Sequence, residues 1–418
     1  MEEQTFIRQN NNNKKIKGRT VSKKLHNKYL YNIIILCVIS LIILLTLFIK
    51  NSNAKYKNYI NECKQLKRFN ITKIINNNPY LSICIPVYNM GKFIERAILS
   101  IINQSFQDFE IIIVNDNSND NSYSLMEKLQ IEDSRIKIIN HNKNLGVYAS
   151  RADACLSAKG KYILLMDPDD MLLNQELFEQ LYNYNLKLNL DIIEFTVIYQ
   201  DNEKKTIYKP KEHYFNHYHN FDREIIYQPE LSNIIFYDPK TNKIQDIFCR
   251  TIWNKLIRKN VVLKSIDYID IDFKNKFLIT ADDTPINVII NQYANNYSNI
   301  NLPGYLYNCR RKSMSRGNNG RKHDIIVSTN YLLFYKLFFR YIIDYNKDMD
   351  YLYYDMKESI SHLIKIKEYK MDSYMGELNS LLNKMADNKN TTFKFKIVLY
   401  RILDYLNDDK NHDTNFFS

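Results

Sequence analysis

Residues 162–170 read YILLMDPDD, an apolar run that ends in three carboxylates. A strand this apolar is expected to be buried, and acids clustered at its end are unfavourable unless a cation or a basic ligand compensates their charge. The segment therefore indicates a site for a metal ion and a nucleotide at the end of a buried strand. The alternative is an acidic turn in which Asp170 caps the next helix, and these residues alone leave it open.

Three apolar segments precede this run, and each is followed by a polar loop and a helical pattern. They cover residues 81–86, 110–114 and 135–139, with helices predicted over 93–102, 122–130 and 147–158. Pro86 is expected to stop the first strand, because proline lacks the backbone N–H that a strand ladder uses. Strands that alternate with helices at this spacing predict an α/β fold with a mostly parallel sheet flanked by helices on both faces.

The polar clusters of this region all follow predicted strand ends. They occur at residues 86–88, 115–117, 142–146 and 167–170. In a parallel sheet the carboxyl ends of the strands lie on one edge, and ligands bind beyond that edge. Each cluster alone is typical of a turn, but four clusters on one edge favour a binding site.

The formal net charge is +12, but its distribution argues against a nucleic-acid surface. Residues 1–75 hold 15 Lys and Arg against 3 Asp and Glu, which leaves 43 residues of each sign in the rest of the chain. The excess of positive charge therefore belongs to the amino-terminal segment. The 418 residues also provide enough chain for a large hydrophobic core.

Residues 30–50 are predicted to form a transmembrane signal-anchor. From Leu30 to Ile49 there are twenty residues without a charge, about 30 Å as a helix. A basic polar tail at 1–29 precedes the span, and a polar stem or linker at 51–79 follows it. A cleaved signal peptide is the alternative, although the charged leader is long for one. Lys and Arg are nearly balanced across the span, so the side of the membrane that holds the folded domain stays open.

The motifs along residues 81–200 resemble the family 2 glycosyltransferases of the GT-A group, which use nucleotide-sugars. The resemblance rests on SICIPVYN at 82–89, SIINQS at 100–105, EIIIVNDNS at 110–118, NLG at 144–146 with Arg151, and the acids at 167–170. It implies a GT-A, Rossmann-like fold with a nucleotide-sugar-binding core at 80–200 and an acceptor-side part at 201–320. Residues 321–418 are expected to form a helical extension that ends in a disordered tail.

The resemblance also implies how a donor nucleotide would bind. Pro86 and Tyr88 correspond to the loop that lies against the base. Asp116 corresponds to the acid that accepts a hydrogen bond from the ring N–H of uracil, so the expected donor is a UDP-sugar. The segment near the ribose and the sugar-phosphate corresponds to Asn144, Gly146 and Arg151.

The acids that follow the predicted fourth strand correspond to the family's D-x-D motif. Asp169 would be the direct ligand of Mn²⁺ or Mg²⁺, and Asp167 would approach both the metal and the ribose. Carboxylate oxygens suit these ions, which take further ligands from substrate phosphates. Asp170 would orient the loop or contact the sugar on the acceptor side, or it would cap the helix predicted at 174–187.

An inverting transfer also needs a base that takes the proton from the acceptor hydroxyl. Asp283, with Asp282 beside it, corresponds to the family's acid-Asp motif and is the expected base. Trp253 corresponds to an aromatic residue on the acceptor side, with core packing as the alternative.

Two basic positions are implied as well. Arg151 has an alternative interpretation as a solvent-facing helix residue paired with Asp153. Arg310 or Arg311 follows a tyrosine-rich strand and is expected to close over the diphosphate. Residues 325–345 predict an amphipathic packing helix and not a second membrane span.

The expected function is that of a membrane-anchored inverting glycosyltransferase that moves a hexose or an N-acetylhexosamine from a UDP-sugar to a hydroxyl of a glycan, lipid or protein. A single-pass, type II protein of the ER or Golgi is the expected location, with a cytosol-facing catalytic domain as the alternative. The Gln-x-x-Arg-Trp motif of processive synthases is absent from the sequence, so the transfer of one or a few sugars is favoured. A catalytically inactive relative and a sugar-phosphate nucleotidyltransferase are the alternative functions.

Overall fold

The computed structural model describes part of the chain. The described residues are 40, 76–201, 206–208, 225–228, 231, 251–278, 283–310, 321–345, 371–389, 391, 396, 399–400, 402–403 and 406–407. The chain divides into two compact units, Met1–Asn61 and Glu62–Ser418, and all elements given below belong to the second. The predicted tail, the stem up to residue 75 and Asp282 lie outside the described residues, as does the predicted anchor apart from Ser40.

Four parallel strands form the first half of the sheet. They are β1 (Leu81–Val87), β2 (Phe109–Asn115), β3 (Ile136–Asn140) and β4 (Tyr162–Leu165), in the order β3-β2-β1-β4. Three helices alternate with them: α1 (Ile94–Ile102), α2 (Ser122–Glu132) and α3 (Val147–Leu156). The predicted alternation of strands and helices is confirmed for this half.

Burial on both faces explains why these strands appear as continuous apolar runs. Every residue of β1 and of β2 is buried. Alternate side chains face opposite sides of the sheet: Ile83 belongs to the same hydrophobic cluster as Ile98 of α1, whereas Cys84 belongs to that of Cys155 of α3. Parallel strands covered on both faces lack the alternating hydrophobicity of a half-exposed sheet.

The second half of the sheet is mixed, which corrects the prediction of a mostly parallel sheet. Its strands are β5 (Met171–Leu172), β6 (Ile192–Asp201), β7 (Thr206–Tyr208), β8 (Ile225–Tyr227), β9 (Lys255–Arg258) and β10 (Asn296–Cys309). β9 runs antiparallel to both β4 and β6, so it reverses the strand direction in the middle of the sheet. β10 pairs in parallel with β6 and antiparallel with β5 and β8, and β7 pairs antiparallel with β6. Because β6 crosses position 200, the segments 80–200 and 201–320 build one sheet.

The remaining helices complete the two covering layers. They are α4 (Leu177–Leu188), α5 (Lys259–Phe273), α6 (Asp283–Tyr293), α7 (Arg321–Asp344) and α8 (Asp372–Asp387). Helices α5 to α8 share a buried cluster with α3, whereas α4 packs with α1 on the opposite face. The packing helix predicted at 325–345 is α7, which buries Leu332 and Phe338. Within the described part of the chain, no helix is both long enough and apolar enough to cross a bilayer.

Pro86 lies inside β1 and does not end it, contrary to the prediction. It is paired in register with Val114 of β2. The carbonyl oxygen of Cys84 accepts a hydrogen bond from Met166 N, directly after β4. The backbone nitrogen of Pro86, two residues further on, therefore points to the same side of β1, toward β4 and away from β2. β4 pairs with β1 only as far as Cys84, and the missing N–H of Pro86 therefore leaves no ladder bond unmade.

A buried polar cluster holds the amino ends of β1 and β2 together. The carboxylate of Glu110 accepts hydrogen bonds from Ser82 Oγ at 2.7 Å, from Lys159 N at 2.6 Å and from Lys137 Nζ. Burial opposes the ionisation of Glu110, but these donors outweigh it and lower its pKa. Ser82 Oγ also accepts a hydrogen bond from Gly160 N at 2.8 Å, and this contact holds the loop before β4 against β1.

We expect Gly160→Ala to destabilise the fold. A Cβ at this position would lie 2.6 Å from the backbone nitrogen of Ser82, which is inside the sheet and cannot move alone. The overpacking should lower the free energy of unfolding by about 1–3 kcal/mol in a denaturant titration of the full-length chain.

Gly376→Ala is the matched control, because Gly376 lies in α8 and an added Cβ would meet no atom within 4 Å. This variant should raise the free energy of unfolding by about 0.5–1 kcal/mol, since alanine favours a helix more than glycine does. If Gly160→Ala were as well tolerated as the control, the close approach of this loop to β1 would be wrong.

Candidate functional site

The carboxyl ends of the first strands meet at Asp116, directly after β2. The backbone N–H of Asp116 donates to the carbonyl oxygen of Val87 at the end of β1. Its carboxylate accepts hydrogen bonds from Leu145 N at 2.7 Å and Gly146 N at 2.9 Å, in the loop between β3 and α3. Three of the four polar clusters predicted from the sequence are thus in direct contact.

Sequence reasoning missed His141, which lies beside Asp116. Nδ1 of the imidazole is 2.8 Å from Asp116 Oδ1, and Nε2 is 2.9 Å from Asp153 Oδ2 on α3. The only signal in the sequence is the position of His141, one residue after β3. A histidine in a polar loop carries no information about which carboxylates it will meet.

The loop that carries Asn144 and Gly146 is held in a conformation that requires glycine. Gly146 has φ +93°, and a Cβ there would lie 2.5 Å from the carbonyl oxygen of Leu278. Asn144 Oδ1 accepts a hydrogen bond from Gly146 N at 3.0 Å, and Val147 N donates to Leu278 O at 2.9 Å. The loop is therefore joined to the segment that leads toward Asp283.

Arg151 connects the two groups of acids that the sequence assigns to different roles. Its guanidinium donates from Nη1 to Asp283 Oδ1 at 2.7 Å and from Nη2 to Asp167 Oδ1 at 2.8 Å. The side chain is 7% exposed, and the two acids are 30% and 25% exposed. The solvent-facing interpretation of Arg151 is wrong, and Asp153 pairs with His141 instead.

Asp169 is paired with Arg310, whose guanidinium also lies 4.6 Å from the centre of the Phe93 ring. Burial raises the pKa of Asp169, the negative charge of Asp167 adds to this effect, and Arg310 opposes it. The carbonyl oxygen of Asp169 accepts hydrogen bonds from Arg96 at 2.8 Å and Asn308 at 3.2 Å. Arg310, which was expected to close over the diphosphate, therefore contacts Asp169, the expected metal ligand.

Asp170 is buried and supports the turn. Its Oδ1 accepts a hydrogen bond from Asn308 N at 2.8 Å, which ties the turn after β4 to β10. Burial, with the charges of Asp169 and Asp167, raises the pKa of Asp170 well above its usual value. Helix α4 begins at Leu177, so Asp170 does not cap it. With 1% of its surface exposed, Asp170 is also withdrawn from the acceptor side that the resemblance implied.

Trp253 is likewise buried, and the packing interpretation is the one that fits. The residue is 3% exposed. Its ring stacks on Tyr305 at 4.5 Å and on Tyr307 at 5.3 Å between centroids. Tyr305 Oη accepts a hydrogen bond from Asp167 N at 3.1 Å. Trp253 therefore supports the acidic turn from behind and does not form an open acceptor surface.

Pro86 and Tyr88, both predicted to lie against the base, differ in exposure. Pro86 is buried in β1, whereas Tyr88 follows the strand and is 39% exposed. Asn89 has φ +53°, and its side-chain oxygen accepts a hydrogen bond from Asn119 N at 2.8 Å, which fixes the loop next to Tyr88. Of the two, only Tyr88 is exposed enough to contact a ligand.

The two acids expected to bind a metal ion, Asp167 and Asp169, are each paired with an arginine in this structure. No group of three or more His, Cys, Asp or Glu side chains among the described residues forms a complete metal site. Mg²⁺ and similar ions are commonly bound by one or two carboxylates, with waters and substrate phosphates as the other ligands.

Residues 82–264 match the family model Glycosyl transferase family 2. The chain is 28% identical over 229 residues to the uncharacterized glycosyltransferase EpsJ of Bacillus subtilis (strain 168), a match that covers 55% of this chain and 61% of that protein. It is 39% identical over 97 residues to the GalNAc(5)-diNAcBac-PP-undecaprenol beta-1,3-glucosyltransferase of Campylobacter jejuni, covering 23% and 31% respectively. The chain thus spans less than two thirds of the length of these relatives.

The solved structure of S. aureus TarS 1–349 in complex with UDP-GlcNAc aligns with a TM-score of 0.48 and 16% sequence identity, over 78% of this chain and 87% of that chain. The segment matched by the family model runs from β1 into α5. It contains Asp116, Arg151 and the three acids after β4, whereas Asp283 lies beyond it.

We expect Arg151 and Asp283 to be energetically coupled. Removing the buried cation leaves two carboxylates without their shared partner, so Arg151→Met and Asp283→Asn should not have additive effects on the free energy of unfolding. A double-mutant cycle by denaturant titration should give a coupling of about 0.5–3 kcal/mol.

Lys128→Met is the control for the cycle, because Lys128 lies on the exposed side of α2. Its effect should add to that of Asp283→Asn within about 0.5 kcal/mol. Additive effects for Arg151→Met as well would mean that the bridge between the two acids does not form in solution.

Proposed function

Because residues 82–264 match the family model Glycosyl transferase family 2, we propose that the chain transfers a sugar from a nucleotide-sugar to an acceptor hydroxyl with inversion at the sugar carbon. The observation that carries this proposal is the bridge from Arg151 to Asp167 and Asp283. It brings the expected donor-side acid and the expected base to one guanidinium, beside the loop that Asp116 holds. A non-catalytic binding role would not require the base candidate at this position.

The proposed donor is a UDP-sugar held in a GT-A arrangement. Tyr88 would cover the base, and Asp116 would accept the hydrogen bond from the uracil ring N–H. The loop at 144–146 would lie along the ribose. The sugar is proposed to be a hexose or an N-acetylhexosamine, and the acceptor a glycan, lipid or protein.

In the proposed chemistry, the two acids that Arg151 contacts have different roles. Asp283 would take the proton from the acceptor hydroxyl as its oxygen attacks the sugar carbon, and Arg151 would hold that carboxylate in place. Asp169, with Asp167, would hold Mn²⁺ or Mg²⁺, which supplies positive charge to the departing nucleoside diphosphate when bound. Arg310 would turn from Asp169 toward the diphosphate, because phosphate oxygens suit its planar guanidinium.

The proposed location is a membrane surface, reached through a single anchor at residues 30–50. The support for it is the uncharged run from Leu30 to Ile49 and the basic residues that precede it. An anchored domain would act where lipid-linked or membrane-bound acceptors are concentrated.

We expect Asp169→Asn to remove the metal dependence of nucleotide binding. In the full-length chain, Mn²⁺ should increase the affinity for UDP, measured by calorimetry, by about 10-fold or more, because Asp169 would hold the ion and the ion would supply positive charge next to the phosphates. The variant should bind UDP equally with and without Mn²⁺.

Asp267→Asn, an acid-to-amide change on the exposed side of α5, is the matched control and should keep the full Mn²⁺ effect. An Asp169→Asn protein that still responds to Mn²⁺ as the control does would remove Asp169 from the metal site.

We expect Asp283→Asn to lose turnover while it keeps donor binding. An amide cannot accept the proton of the acceptor hydroxyl, so kcat for release of the nucleotide from the donor should fall by about 10²–10⁴-fold. The affinity for UDP should change by less than about 3-fold, since Asp283 is not placed against the nucleotide. Unchanged kcat would mean that another group is the base.

A further inference from the structure

His141 lies between two carboxylates and is almost fully enclosed. Its side chain is 6% exposed, that of Asp116 is 4% exposed, and that of Asp153 is 46% exposed. Each ring nitrogen is within 2.9 Å of a carboxylate oxygen, with Nδ1 toward Asp116 and Nε2 toward Asp153. The three side chains form a chain of hydrogen bonds from Asp116 to the surface of α3.

Both ring nitrogens of His141 contact a carboxylate oxygen. An ionised carboxylate only accepts hydrogen bonds, so the contact with Asp116 is a hydrogen bond when Nδ1 carries the hydrogen. Asp116 also accepts from two backbone N–H groups, Leu145 N and Gly146 N, which can only donate. Asp116 thus has three hydrogen-bond partners, which are His141 Nδ1, Leu145 N and Gly146 N.

The same contacts limit what else Asp116 can bind. A carboxylate offers about four acceptor positions, two on each oxygen. Oδ1 accepts from Leu145 N and faces His141 Nδ1, whereas Oδ2 accepts only from Gly146 N. One acceptor position therefore remains, and it is on Oδ2.

One remaining acceptor position matches one class of nucleobase. The imide edge of uracil presents a single N–H between two carbonyl oxygens. The corresponding edge of guanine presents a ring N–H and an amino group side by side, and a carboxylate receives them with one donor on each oxygen. With Oδ1 already filled, guanine would leave one donor unpaired, which is unfavourable next to a carboxylate as buried as that of Asp116.

We propose that His141, held by Asp153, is the positioning residue that fixes Asp116 and restricts it to a single ligand donor, so that the site selects uridine over guanosine nucleotides. This inference rests on the proposed nucleotide-sugar function. Asp116 contacts the base, and His141 acts through it. Without His141, Asp116 Oδ1 regains an acceptor position and the carboxylate can rotate to receive two donors.

The test compares UDP and GDP affinities of the full-length chain by calorimetry with Mn²⁺ present. Wild-type protein should bind UDP about 10-fold or more tightly than GDP. His141→Asn should weaken UDP binding by about 10-fold and bring the ratio of the two affinities close to one. Asp153→Asn keeps a hydrogen-bonding group but removes the charge, and it should reduce the ratio in the same direction by about 3-fold.

Two matched variants serve as controls. His323→Asn on α7 and Asp267→Asn on α5 change the same residue types away from Asp116 and should keep the wild-type ratio. Asp153 is half exposed, so Asp153→Asn keeps the inference open to refutation should His141→Asn fail to fold.

The ratio of affinities separates positioning from a general loss of structure. A purely structural role of His141 would weaken UDP and GDP binding equally and leave the ratio unchanged, which would overturn the inference. Wild-type protein that prefers GDP would also overturn it, while leaving a nucleotide-sugar function in place. Wild-type protein that binds neither nucleotide would remove the proposed function and the inference together.

Discussion

The arrangement of the site depends on the charge of Arg151 in a largely buried position. Carboxylates at the end of an apolar strand lose solvation, and the effective penalty is several kcal/mol for each ion that lacks compensation. Arg151 compensates Asp167 on one side and Asp283 on the other. Because the arginine lies on α3 and the two acids on different segments, this single guanidinium fixes three parts of the chain relative to one another.

Buried residues outside the acidic turn hold this turn in place. β10 contributes the hydroxyl of Tyr305, which accepts from Asp167 N, and the backbone N–H of Asn308, which donates to Asp170. Trp253 stacks behind Tyr305. A residue that the resemblance assigned to the acceptor side can thus pack behind the acids instead. There, aromatic stacking and buried hydrogen bonds restrict the movement of the acidic turn.

The first half of the fold was predictable from the sequence, because buried parallel strands appear as apolar runs and helices lie between them. The second half was not predictable, since β9 has only four residues and begins two residues after Trp253, which the resemblance assigned to the acceptor side, and β8 has only three residues. For the site, the sequence indicated most of the residues but not which of them contact one another. Arg151 was identified by resemblance, but Asp283 is 132 residues away, and only the folded chain shows their contact. His141 had no signal beyond its place after β3.

The central claim is that the site transfers a sugar from a nucleotide donor. The most direct measurement is a screen of the full-length chain with Mn²⁺ against UDP-glucose, UDP-galactose, the two UDP-N-acetylhexosamines and GDP-mannose, scored by release of the nucleotide. We expect metal-dependent release of UDP from at least one UDP-sugar and no release of GDP from GDP-mannose. Tight, metal-dependent binding of UDP without release from any donor would contradict the central claim and would identify a binding protein instead.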